Sequence, residues 1–237
     1  MRKFSGWGVG LLLAATAVQA AVRPTVVELF TSEGCNSCPP AEALIGALSQ
    51  SRPDVIPLAF HVDYWDYIGW RDRFEIPEAT ERQRQYQHAL RLNSVYTPQL
   101  VIDGQRDLVG NNDPSTVPAS AHAQTFALDI ALRDEQITVS VGAAGSAPSA
   151  SAGVNDVLLV SYLHEGVSKV TRGENAGREL REFNIVRSVR RLGTWKGEAA
   201  SFNVPLTSIP ADATQVAVLV QAANEGPIVG AASHGLR

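Results

Sequence analysis

The segment Cys35-Asn36-Ser37-Cys38 holds the only two cysteines of the chain. Two thiols separated by two residues can cycle between a dithiol and a disulfide. The attacking species in that chemistry is a thiolate, and a helix N-terminus lowers a thiol pKa by placing partial positive charge beside it. Because Cys35 precedes the predicted helix, the sequence assigns it the role of attacker on the ground of greater exposure, and Cys38 the role of resolving the mixed disulfide. A bond closed over so short a loop constrains the unfolded chain little, so its value as a staple is small and a redox or metal-handling role gains weight.

The flanking pattern sets where these thiols sit. Val26, Val27, Leu29 and Phe30 form a short apolar run that reads as a buried strand, and Ala41, Leu44, Ile45 and Leu48 share one face of a helix. Pro39 and Pro40 lie where a first helical turn tolerates proline, although each disfavours helix in the residue before it. Leu58–Val62 is the next strand. Phe60, Tyr64, Trp65, Tyr67, Trp70 and Phe74 make a dense aromatic cluster, which fits packing of a loop onto the core better than the alternative, a groove for a peptide or other apolar partner. Pro77 opens a polar helix to about Leu92. Gln99–Ile102 and Arg106–Val109 flank Asp103-Gly104, a hairpin signal. Asn112-Asp113-Pro114 predicts a helix entry, with a helix running to Leu132.

From about residue 134 the pattern changes to strands: Ile137–Val141, Val157–Tyr162, Asn184–Leu192, Ala200–Val204 and Gln215–Gln221. Residues 142–153, rich in Gly, Ala and Ser, read as a mobile loop. The alternation of the first part predicts an α/β layer and the second part a small β-sandwich.

Residues 1–20 read as a cleaved secretory signal: Arg2 and Lys3 precede a short apolar run from Val9 to Val18, and Val18-Gln19-Ala20 supplies the cleavage positions. That run is too short for a membrane anchor. Periplasmic or secreted location follows, where disulfides form and persist. The formal net charge of −4 and a sequence pI near 5.7 disfavour a broadly basic nucleic-acid surface.

With Val26–Phe30, the Cys-x-x-Cys, the helix, and Tyr96-Thr97-Pro98 just before a strand ending in Asp103-Gly104, the chain resembles the thioredoxin-like superfamily. The resemblance implies that Pro98 is a cis-proline opposite Cys35 and Cys38, and that Thr97 presents backbone to a partner; Tyr96 and Trp65 are further candidates for substrate binding. The chain also resembles a secreted bacterial family catalogued as domain of unknown function 1223. The residues that carry this likeness are Glu28-Leu29-Phe30-Thr31-Ser32-Glu33-Gly34-Cys35, Cys38-Pro39-Pro40-Ala41, His61-Val62-Asp63-Tyr64-Trp65, Thr97-Pro98-Gln99, Gly173-Glu174-Asn175-Ala176-Gly177-Arg178, Asn184-Ile185-Val186-Arg187 and Gly226-Pro227-Ile228-Val229-Gly230-Ala231.

These readings together predict a signal peptide (1–20), a thioredoxin-like α/β domain with a central mixed sheet flanked by helices (21–133) and a β-rich, sandwich-like domain (134–237). The function expected is thiol–disulfide exchange on an exported protein or small thiol, with a separate redox partner and no cofactor. One alternative is a copper- or zinc-binding or delivery protein using Cys35, Cys38 and His61. Another is a non-enzymatic secreted interaction protein with a structural disulfide. Glu174, Asn175, Arg178 and Arg187 are expected to form a polar network or surface ion pairs without chemistry.

Overall fold

The computed structural model describes residues 21–119, 123–145 and 153–236; the expected signal segment and most of the Gly/Ala/Ser-rich loop lie outside them. Strands β1 (Ala21–Val22) and β2 (Thr25–Thr31) lead to helix α1 (Pro39–Ser51), strand β3 (Val55–His61) and helix α2 (Pro77–Ala89). Ten further strands begin with the hairpin β4 (Gln99–Ile102) and β5 (Arg106–Val109) and continue as β6 (Ala123–Gln124), β7 (Leu128–Arg133), β8 (Gln136–Val141), β9 (Asn155–Lys169), β10 (Glu179–Trp195), β11 (Ala200–Pro205), β12 (Gln215–Ala222) and β13 (Ile228–Gly235).

 With β3 these make up the eleven strands that follow α1 among the described residues.

Eight of the strands form one mixed sheet in the order β13-β12-β9-β10-β3-β2-β4-β5. β3 pairs parallel with both β2 and β10, and the remaining neighbours are antiparallel. A second sheet, β11-β8-β7, packs on the larger one through Phe126, Ile130, Val139, Val157, Trp195 and Val218.

The alternation along β2 explains where the helices lie. Val27 and Leu29 face a core shared with Ala41, Leu44, Ile45 and Leu48 of α1, whereas Val26 and Phe30 face a core shared with Ala79 and Tyr86 of α2. Burying each large apolar side chain contributes about 1.5–3 kcal/mol, so these two faces hold the helices in place. The β4–β5 turn follows from its residues: Asp103 and Gly104 both take positive φ, +53° and +68°, the backbone that a tight hairpin requires. A side chain at position 104 would also strike the Gly226 carbonyl.

The expected helix-flanked thioredoxin-like domain followed by a separate sandwich is corrected by this architecture. The described residues are 44% strand and 17% helix, with two α-helices among them and an eight-stranded sheet that runs through both parts. The predicted helix to Leu132 is instead a short 3-10 turn at Pro114–Thr116 followed by β6 and β7. Its apolar residues serve the sheet interface, and positive φ at Asp134 and Glu135 turns β7 directly into β8.

Candidate functional site

Cys35 and Cys38 are joined by a disulfide across a Cα–Cα distance of 5.4 Å, in the loop between β2 and α1. Cys38 is the N-cap of α1, and its carbonyl accepts from the Ala41 and Glu42 amides. Pro39 and Pro40 occupy the next two positions and carry no N–H, so the helix offers a nearby thiolate its dipole but few free amides. The Cys35 sulfur instead faces the Ser37 hydroxyl at 3.3 Å. Both cysteines are 1% exposed, so exposure does not distinguish attacker from resolver as the sequence reading supposed.

The other expected residues are distributed around this loop. Pro98 follows a cis peptide bond, and its ring and Ala41 of α1 both abut Gly110, which places it beside the first helical turn. Trp65 donates from Nε1 to Thr97 Oγ1 at 2.8 Å, stacks on the largely exposed Tyr67, and packs against Gly34 next to Cys35. Tyr96 points the other way: its hydroxyl donates to Asp107 and its carbonyl accepts from Gln83.

Residues expected to have no chemistry hold the loop from the far end of the sequence. Asn175, in the turn between β9 and β10, donates from Nδ2 to the carbonyls of Glu33 (2.8 Å) and Cys35 (3.0 Å), and is fully buried. Glu174 accepts from the Asn36 amide, and Arg178 donates to Asn175 Oδ1. Arg187 lies apart, paired with Asp212.

Beneath the loop is a buried ionisable cluster that sequence reasoning missed. His61 Nδ1 meets Asp72 Oδ2 at 2.7 Å, and the same oxygen accepts from the Glu33 amide. Glu33 in turn accepts from Trp70 Nε1 at 2.6 Å. Glu42 on α1 lies 3.7 Å from His61 Nε2, while Glu182 arrives on β10. Burial alone disfavours the imidazolium, but Asp72, with Glu182 and Glu42 nearby, raises His61 to about 10. Burial, helped by the surrounding acids, pushes Glu182 up to about 9, and burial also raises Glu42 and Glu33. Asp72 is held low against its own burial by His61 and by two amide donors.

His61 therefore belongs to an acid–histidine cluster, while the two cysteines bond to each other. Among the described residues, no group of three or more His, Cys, Asp or Glu side chains is placed to hold a metal ion. One signal for the missed cluster is present in the sequence: Glu42 falls between Ala41 and Ile45 on the buried side of α1, four residues after Cys38.

Residues 26–221 match the family described as protein of unknown function, DUF1223. The chain belongs to the DUF1223 family. It is similar to the crystal structure of protein AGR_C_4864 from Agrobacterium tumefaciens, at 28% identity and a TM-score of 0.75 over 91% of this chain and 95% of that one. It shares its fold with HBP35 of Porphyromonas gingivalis, at 13% identity and a TM-score of 0.62 over 92% and 77% of the two chains. None of the curated proteins compared with it matches. No helix among the described residues is long and apolar enough to cross a membrane.

Proposed function

We propose that this DUF1223 protein is an exported thiol–disulfide oxidoreductase acting through Cys35 and Cys38 on a protein or small thiol. The observation that carries the reading is the disulfide at the start of α1, with Trp65, Thr97 and Pro98 grouped around the same loop. In the exchange, a substrate thiolate attacks one sulfur of the pair, the Cys35–Cys38 bond breaks, and a mixed disulfide forms. A second thiolate then attacks the substrate sulfur of that mixed disulfide and expels the cysteine as a thiolate, so two substrate thiols become a disulfide and the cysteines take up two electrons and two protons. The reverse sequence oxidises the cysteine pair. Cys35 is assigned to the mixed disulfide because its sulfur has the Ser37 hydroxyl to stabilise a thiolate. Export rests on the signal-like residues Arg2 and Lys3 and the apolar run that follows them.

Burial of both sulfurs favours a second reading, an interaction protein with a fixed bond. Redox titration separates the two. In a glutathione series, the native protein is expected to interconvert fully between two free thiols and none, and Cys35→Ala or Cys38→Ala to abolish turnover of a disulfide substrate. A bond that stays closed at every poise until the protein is denatured supports the fixed-bond reading and defeats the first.

A further inference from the structure

The disulfide borders a cavity of about 130 Å³ lined by Ser32, Cys38, Pro39, Glu42, Leu180 and Glu182. This is room for several waters or for a small organic group. Its acceptors are unusually poorly supplied. Neither carboxylate oxygen of Glu42 has a hydrogen-bond partner, although the Thr31 hydroxyl and Phe183 backbone face it, and Glu182 Oε2 and Thr31 Oγ1 also lack one. All three residues are at least nine-tenths buried. Buried polar atoms are ordinarily paired, and leaving one unpaired costs about 1–3 kcal/mol, more for a charge. Among protein cations, His61 is already committed to Asp72 at 2.7 Å and reaches Glu42 at 3.7 Å, and Arg181 at the rim pairs outward with Glu165.

Three unpartnered carboxylate oxygens around a small space call for a group with several donors and no acceptor. An ammonium has three donors and a positive charge. It would enter past Glu179, a further acid at the rim. Because Cys38 lines the same cavity, the bound group would lie next to the disulfide.

We propose that this cavity is an ammonium subsite, and that the thiols exchanged at Cys35–Cys38 include small aminothiols whose cation is held by Glu42 and Glu182. The inference rests on the oxidoreductase reading and narrows its substrate. Aminothiolate attack opens the Cys35–Cys38 bond and forms a mixed disulfide. A second aminothiolate attacks the first one's sulfur and expels the cysteine thiolate, leaving a symmetrical aminothiol disulfide, and the two protons released by the thiols end on the cysteines. Burial keeps protons on the acid pair, so cation and proton compete for it. The groups facing the pair are Glu33 and Asp72 from the loops, His61 from β3, and Glu179 and Arg181 from β10. Discrimination in favour of the cation is therefore expected to grow from pH 6 to pH 9.

The test uses three reductants of similar size and different charge: cysteamine, 2-mercaptoethanol and 3-mercaptopropionate. The rate of opening of Cys35–Cys38 in the native full chain is followed by quenching with an alkylating reagent and counting labelled thiols by mass. Rates are compared at equal thiolate concentration. Cysteamine is expected to exceed 2-mercaptoethanol by about 10–100-fold, the worth of hydrogen bonds to a charged group, with 3-mercaptopropionate the slowest. Glu42→Gln and Glu182→Gln are each expected to bring the ratio of the cysteamine rate to the 2-mercaptoethanol rate close to one. Two separate variants guard against one failing to fold. Equal ratios in the native protein, or a cysteamine preference untouched by both variants, overturn the subsite. Failure of all three thiols to open the bond defeats the oxidoreductase reading, and the subsite with it.

Discussion

Two buried ionic clusters sit on opposite sides of the same strands, and they are built to different ends. On the α2 side, Arg82 donates to Glu28 through Nε at 2.6 Å and through Nη2 at 3.1 Å, and also to Tyr86 and Gln221, both at 2.9 Å. Tyr86 donates to Glu28, and Gln221 donates to Tyr86 and to the Gly226 carbonyl. These side chains satisfy one another. On the α1 side, Glu33, Glu42, His61, Asp72 and Glu182 place four acids around one imidazole and leave carboxylate oxygens and His61 Nε2 without a hydrogen bond, Nε2 lying 3.7 Å from Glu42. A closed network of buried charges fixes position; an open one beside a disulfide stores a capacity to take up a proton or a cation. The closed cluster ties α2 and β2 to β12, and the open one lies where chemistry is proposed.

The largest effect should come from breaking the closed cluster. Arg82→Ala leaves the Glu28 carboxylate buried without its cation and is expected to cost about 3–5 kcal/mol in urea unfolding. A loss below about 1 kcal/mol would mean that this network is no more essential than the open one.

A pH ramp sharpens the contrast next. His61 and Glu182 both bind protons more tightly folded than unfolded. The stability from His61 is full below its unfolded value of 6.5 and fades as the pH rises through about 10. Glu182, raised to about 9, becomes progressively costly to keep buried as the pH rises above its ordinary 4.5. Both signs are the same, so unfolding free energy should fall from pH 6 to pH 10, by about 1–3 kcal/mol. Glu182→Gln should flatten that slope; an unchanged slope would remove Glu182 from the account.

The smallest effect is expected from neutralising the open cluster at constant pH. Glu42→Gln removes a poorly partnered buried acid while keeping its shape, so stability at pH 8 should change by less than about 1 kcal/mol, or rise. A large loss by thermal unfolding would show that Glu42 is as firmly integrated as Glu28.

The legibility of these regions from sequence differs for physical reasons. The strands β2, β3, β4 and β5 announce themselves through compact apolar runs and a turn dipeptide, and α1 and α2 through prolines at their first turns. β13 is rich in Gly and Ala, so its pattern is too faint to read, although its residues pair with β12 along most of its length. β9 and β10 were legible only in their apolar stretches; their far ends, through Lys169 and from Glu179, carry polar side chains, several of them buried, where the hairpin covers the cysteine loop. The cysteines, Thr97, Pro98 and Trp65 were singled out from sequence as candidates, and the structure places Trp65 against Thr97 and Gly34. The acids were missed because they converge from separate elements: Glu33 and Asp72 from loops, Glu42 from α1 and Glu182 from β10. Nothing local marks an acid as buried when its partners sit on other elements, 39 residues apart for Glu33 and Asp72 and farther still for Glu182.

The parallel placement of β10 against β3 has a consequence for the order of assembly. β2 and β3 can pair as soon as α1 and β3 have been made, but the other side of β3 must wait until Ile185 reaches Ala59. Closing so long an intervening segment is entropically slow, and folds dominated by such distant pairings form slowly. Until then β3 is an open sheet edge, able to capture another strand of this or a second molecule. Each newly made chain must therefore pass through an interval in which its own unfinished sheet is its chief hazard.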